Sequence, residues 1–267
     1  MQQRHLPQPL PLRRLLLQNN RMGVIMRTII ILVMYIIIAI LSIPMYLVEF
    51  IIRCISKKAA ARLAQTIVRN VFTLVMWVSG CKKTIIGREN IPLDTPVMYA
   101  ANHRGFYDII LAYATVPNQT AFISKMEIKK MPCIAQWMYF LNCMFMDRSD
   151  VKQNLTVILQ AVSLVKEGYS VYIAPEGTRN ATDELLEFKE GSMKIATKTN
   201  CPIVPVCLYN TENIFENCLP WIHSGKISIE YGEPIYPSEL DKETKKHLGS
   251  FVRERIAAMY ENAKRAD

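Results

Sequence analysis

From Thr28 to Val48 the chain runs 21 residues without a charge, dominated by Ile, Leu, Val and Met. About 20 such residues cross the hydrocarbon core of a bilayer, so this segment is expected to leave water. It is too long for a signal-peptide core, and no small-residue cleavage site follows it. Pro44 predicts a kink or break near its end. Arg21 and Arg27 precede the run, and Arg53, Lys57 and Lys58 follow it. Flanks this evenly basic give a full span no orientation, and translocating either cluster opposes the positive-inside preference. The expectation is a re-entrant or in-plane helix held in one leaflet with both ends on the cytoplasmic side; a full span is the alternative.

The next segment, 59–80, sets Arg62, Gln65, Thr66, Arg69 and Thr73 at helical spacing on one face, with apolar residues filling much of the rest. That is the pattern of an interfacial helix; the alternative is a helix packed on a globular domain through its apolar face. Residues 24–80 therefore read as a membrane-anchoring helical hairpin behind a disordered basic tail, 1–23, rich in Gln, Pro and Arg. Charge supports this division. Residues 1–80 hold ten Lys/Arg and one acidic residue, Glu49, while 81–267 hold 22 of each sign. The whole net charge of +9 thus sits beside the most apolar stretch. Anionic membrane lipid fits that distribution and nucleic acid does not. Seven cysteines with no Cys-x-x-Cys pair read as reduced thiols facing the cytosol.

Residues 81–267 alternate strand-like and helix-like segments. Strands are expected at 84–86, 96–101, 120–123, 143–146, 171–174, 203–208 and 227–231, with Pro205 hinting at an edge or bulge. Val151 to Glu167 reads as an amphipathic helix with Leu155, Ile158, Leu159, Val162 and Val165 on its core face, and a terminal helix is expected over 240–263. The fold class is α/β, a largely parallel sheet flanked by helices, preceded by the N-terminal hairpin.

Three charged loops follow three of the strands: 102–108, Asp147-Arg148 and 175–179. In a parallel sheet they converge at one carboxyl edge, joined by Lys125. His103 and Asp108 lie five positions apart, about 140° on a regular helix, so they can meet only across a bend, which Gly105 permits. A carboxylate that fixes one imidazole tautomer makes a general base. The alternative is a capping Asp and a hydrogen-bonded loop His. Arg179 could equally be a structural arginine paired with Glu176, and Lys125 a solvated surface lysine.

Asn102-His103-Arg104-Gly105-Phe106-Tyr107-Asp108 resembles the His-x4-Asp motif of the glycerophospholipid acyltransferases, and is most similar to the 1-acylglycerol-3-phosphate acyltransferases. Pro175-Glu176-Gly177-Thr178-Arg179 matches that family's third block, and Phe188-Lys189-Glu190-Gly191 its usual follow-on. Lys125 with Asp147-Arg148 resembles the second block, and residues 201–206 the fourth. Ala174 stands where the family usually has Phe, and Glu190 varies the follow-on; neither removes a charge the chemistry needs.

The resemblance implies transfer of a fatty acyl group from an acyl thioester, acyl-CoA or acyl-carrier protein, to the sn-2 hydroxyl of lysophosphatidic acid, giving phosphatidic acid. His103 would be the base and Asp108 its orienting partner. Lys125, Arg148, Glu176, Gly177, Thr178, Arg179 and Lys189 would bind substrate, with Arg179 and Lys125 on the acceptor phosphate. Backbone N–H groups near Gly105 or Gly177 are candidates to hold the developing oxyanion. No cofactor or metal is expected. Another lysophospholipid or glycerol-3-phosphate is the alternative acceptor. A metal-dependent hydrolase using His103, Asp108 and Glu176, or an inactive membrane scaffold, is a remoter reading.

Overall fold

The structure, a computed structural model, describes residues 12–147, 149–180, 182 and 184–266, with side chains from residue 21 onward. Arg148 and the first eleven residues of the expected tail lie outside these. The first helix, α1 (Leu12–Ile55), begins inside the expected tail and runs on through Pro44 without a break. Ser56 caps the second, α2 (Lys57–Val78), by accepting from the Ala59 N–H. The two form a hairpin.

Seven strands follow: β1 (Cys81–Ile86), β2 (Met98–Ala101), β3 (Thr120–Lys125), β4 (Met144–Met146), β5 (Ser170–Ile173), β6 (Ile203–Tyr209) and β7 (Gly225–Tyr231). They make one sheet in the order β1-β7-β6-β2-β5-β3-β4. Every neighbouring pair is parallel except β6 and β7. The helices between and after them are α3 (Phe106–Thr115), α4 (Ile134–Phe140), α5 (Val151–Lys166), α6 (Glu190–Thr199), α7 (Lys242–Lys246) and α8 (Leu248–Ala266).

Side-chain alternation along the strands divides the core into two layers. Tyr99 and Ala101 of β2 face α2, α3 and α4, where Tyr113, Phe122 and Tyr172 stack in sequence at ring separations of 3.9 and 4.3 Å. Met98 and Ala100 face α5, α6 and α8. The strands at the centre are buried on both faces, which is why they read as continuous apolar runs.

Three local expectations need correction. Pro205 lies on an interior strand. Its pairing toward β7 is interrupted there: the ladder ends at Val206–Tyr231 and resumes only as the bridge Ile203–Ile235. A residue without an N–H fits that gap. On α5, Val157, Ile158, Ala161, Val162 and Val165 are buried, but Leu155 and Leu159 are exposed. The terminal helix is divided at His247 into α7 and α8.

The apolar helix α1 lies along the domain. Thr28 Oγ1 accepts from Ile222 N–H at 3.0 Å, and the Tyr35 hydroxyl donates to the Pro132 carbonyl at 3.3 Å. Ser42 Oγ accepts from the Trp137 indole at 2.8 Å, and Arg53 donates to Asn142 Oδ1 at 3.0 Å. Ser42 and Trp137 are both buried. Ser42→Ala would strand a buried indole N–H, at a cost of about 1–3 kcal/mol. A lower melting temperature and faster proteolysis of α1 should report it in detergent solution.

Candidate active site

At the carboxyl end of β2 the chain turns and enters α3 with Gly105 as the N-cap. Asn102 ties this end of β2 to β6: its amide donates to the Leu208 carbonyl at 2.8 Å and accepts the Leu208 N–H at 2.7 Å. Asp108 falls in the first turn of α3, on the side facing back to His103. Its Oδ2 lies 2.8 Å from His103 Nδ1 and accepts the N–H groups of Arg104 at 2.6 Å and Gly105 at 2.8 Å. Its Oδ1 accepts the Thr211 hydroxyl. The geometry is compatible with both readings of this loop. Asp108 caps the helix, and the same carboxylate holds the imidazole.

Glu176 supports the loop from the β5 side. Its Oε1 accepts the His103 N–H at 2.9 Å and its Oε2 the Leu186 N–H at 3.1 Å. Burial pushes this carboxyl above the usual range, while those N–H groups pull it back. Glu176 is 4% exposed and holds the loop instead of facing a ligand. Arg179 pairs with a different partner, Glu216, at 3.7 Å, and its guanidinium lies 4.3 Å from the Phe106 ring centroid. Gly177 has φ +74, so this glycine is required by its backbone conformation, while a Cβ there would meet only the flexible end of Lys189.

A cavity of about 1530 Å³ opens beside the imidazole. His103, Asp108, Lys125, Gly177, Thr178, Arg179 and Lys189 line its polar end, and α1, α2 and α4 contribute its apolar walls. Met131, Met138 and Met146 line it too, and Met144 is buried in the core. Lys125, the last residue of β3, is paired with Glu127 at 2.7 Å; both are more than half exposed, so the pair is worth little. Of the backbone N–H groups in these two loops, that of Gly105 is engaged by Asp108 and that of Gly177 by the Ala174 carbonyl, at 3.1 Å. Among the described residues, no three His, Cys, Asp or Glu side chains stand close enough to hold a metal ion.

Sequence reasoning missed Thr211, Glu212 and Glu216. Buried Glu212 accepts from Arg104 Nε at 2.6 Å, and Glu216 accepts the Phe106 N–H. The signal was available, because these residues follow β6, a fourth strand parallel to β2 that ends at the same edge. Glu216 also explains Gly105. A Cβ there would lie 2.3 Å from Glu216 Oε2. Gly105→Ala should displace Glu216 and with it Arg179. The expected outcome is a folded protein with at least about tenfold less activity, a loss of roughly 1.4 kcal/mol in transition-state binding. Circular dichroism and steady-state kinetics check it.

Comparison with known proteins agrees with this architecture. The model of the Acyltransferase family matches residues 82–209. A 1-acyl-sn-glycerol-3-phosphate acyltransferase of Borreliella burgdorferi is 29% identical over 203 residues, covering 76% of this chain and 81% of that protein. One of Cocos nucifera is 32% identical over 180 residues, covering 67% of this chain and 58% of that protein. The crystal structure of the 1-acyl-sn-glycerophosphate acyltransferase PlsC from Thermotoga maritima shares the fold, with a TM-score of 0.79 at 24% identity over 92% of this chain and 98% of that one. The matched residues, 82–209, make up just under half of the chain and include both the His103–Asp108 loop and the loop after β5.

Proposed function

We propose that this enzyme transfers a fatty acyl group from an acyl thioester to the sn-2 hydroxyl of 1-acylglycerol-3-phosphate, giving phosphatidic acid. The observation that carries this reading is a tethered His–Asp pair at the polar end of an apolar cavity, with Arg179 and two lysines around it. The relatives' names point to the same acceptor.

In this reading Asp108 takes the Nδ1 proton of His103 as a hydrogen bond, which leaves Nε2 as the base. Nε2 removes the proton from the acceptor hydroxyl as its oxygen attacks the thioester carbonyl carbon. The tetrahedral intermediate collapses, the C–S bond breaks, and the imidazolium returns its proton to the departing thiolate. Asp108 stabilises the imidazolium without itself being protonated. No acyl-enzyme forms. Arg179, over the Phe106 ring and next to Glu216, supplies a forked donor for the acceptor phosphate. Lys125 and Lys189 add charge on the two sides. Thr178 and the Gly177 backbone shape the floor. The donor is acyl-CoA or acyl-carrier protein; another lysophospholipid or glycerol-3-phosphate is the competing acceptor.

The same reading places the enzyme on a membrane, facing the cytoplasm. One helix, with its apolar window inside Arg21–Ile55, is long and apolar enough to cross a bilayer. From Thr28 to Arg53, 25 steps of 1.5 Å or about 38 Å, it is tied to the catalytic domain by hydrogen bonds. A helix held along a water-soluble domain over that length favours embedding in one leaflet over crossing it. The basic flanks stay on one side, and a lysolipid can reach His103 from within the leaflet.

Activity should appear when purified enzyme is given an acyl thioester and lysophosphatidic acid, and should exceed that with other lysolipids in competition. Arg179→Ala should raise the apparent KM for the acceptor by roughly tenfold to a hundredfold, from a lost charged hydrogen bond of about 1.5–3 kcal/mol. A shift in the donor KM instead would assign Arg179 to the donor's phosphates. For the anchor, single cysteines near residues 10 and 58, in protein lacking exposed Cys54, should label from the same side of sealed vesicles. Labelling from opposite sides would establish a span.

A further inference from the structure

Along α5, Val151, Leu155 and Leu159 are 81%, 52% and 47% exposed. They are four residues apart, so they form one stripe. The sheet-facing side of α5 is filled by Val157, Ile158, Ala161 and Val165, which leaves the stripe without a protein partner. Single exposed apolar side chains are ordinary, but an ordered row of three on one helix marks a contact surface.

Two observations identify what covers it. The first is continuity. Val151 and Leu155 line the same cavity as Ile31, Met34 and Ile38 of α1. The outer flank of α1 is an unbroken apolar surface, with Ile29, Leu32, Ile36, Ile40 and Ile43 all exposed. The second is charge. Lys152 is exposed on the first turn of α5. Lys129 and Lys130 are exposed on the short 3₁₀ turn Met126–Lys130, which sends Ile128 into that same cavity and leads to Met131, also on its wall. The acidic residues near these lysines are committed locally: Glu127 to Lys125, Asp147 to Ser149, and Asp150 to the N-terminus of α5. An apolar row rimmed by lysines fits the boundary between acyl chains and anionic headgroups.

We infer that the N-terminal half of α5, with the turn Met126–Met131, is a second membrane contact. Its apolar stripe enters an anionic leaflet while Lys129, Lys130 and Lys152 meet lipid phosphates. The cavity then opens into lipid between α1 and α5. This rests on the reading of α1 as a membrane helix, but it is separable from it: α1 holds the protein on the bilayer and α5 sets its tilt.

The test uses the full chain with Cys54→Ser and an environment-sensitive fluorophore at Leu159→Cys, a position outside the cavity. A second label at Glu254→Cys, on α8, is the reference. The protein is bound to phosphatidylcholine vesicles with and without phosphatidylglycerol, carrying a nitroxide on a shallow acyl carbon. The Leu159 label should be quenched at least about threefold more than the Glu254 label in anionic vesicles. Combining Lys129→Glu, Lys130→Glu and Lys152→Glu should remove most of that difference while the protein stays bound. Protein that co-sediments with vesicles but keeps its Leu159 label in water overturns the inference and leaves the α1 reading intact. Protein that fails to bind either vesicle overturns both.

Discussion

The carboxylate of Asp108 is 1% exposed and receives hydrogen bonds from two backbone N–H groups, a threonine hydroxyl and the His103 imidazole. It also sits at the N-terminal end of α3, where the helix dipole favours negative charge. A buried charge persists only when it is met on this scale. Much of the site follows from meeting it. The loop from Arg104 to Gly105 must fold back toward the helix, Thr211 must come from the end of β6, and His103 is fixed as a consequence. The arrangement that stabilises the charge is also the one that orients the imidazole.

Outside that centre, a ring of acidic side chains holds the strand-end loops to each other. Glu176 bonds the backbone of His103, Glu212 holds Arg104, and Glu216 holds Phe106 and Arg179. Burial raises the Glu176 and Glu216 carboxyls, which are therefore spent on structure at some cost in solvation. Arg104 has a guanidinium held above its ordinary range: desolvation works against the charged form, and Glu212, Tyr260 and Asp108 together more than offset it. The loops of β2, β5 and β6 thus form one rigid polar floor, and the apolar hairpin α1–α2 supplies walls of the cavity above it.

Most of the sheet was legible because its central strands are buried on both faces and appear as short apolar runs. The His103–Asp108 contact was legible because two chemically compatible residues flank a glycine in a strand-to-helix turn. Partners from distant sequence were not. Nothing local to Glu216 says that it will stand against Gly105, since that contact exists only once β6 lies beside β2. Glu176 was read as a substrate contact or as the partner of Arg179, and its burial and its bonds to the His103 and Leu186 N–H groups tie it to the loop instead. Leu155 and Leu159 misled for a different reason. Helical periodicity counts apolar residues on a face but cannot tell a core from a lipid surface, so two contacts of opposite kind were merged into one.

The role given to His103 is tested most directly by the turnover of His103→Ala with an acyl thioester and lysophosphatidic acid, on protein shown to be folded and vesicle-bound. Loss of a general base predicts a fall in kcat of about 10²–10⁴, with the acceptor KM little changed because Arg179 and the lysines remain. Turnover near the wild-type rate would contradict the mechanism.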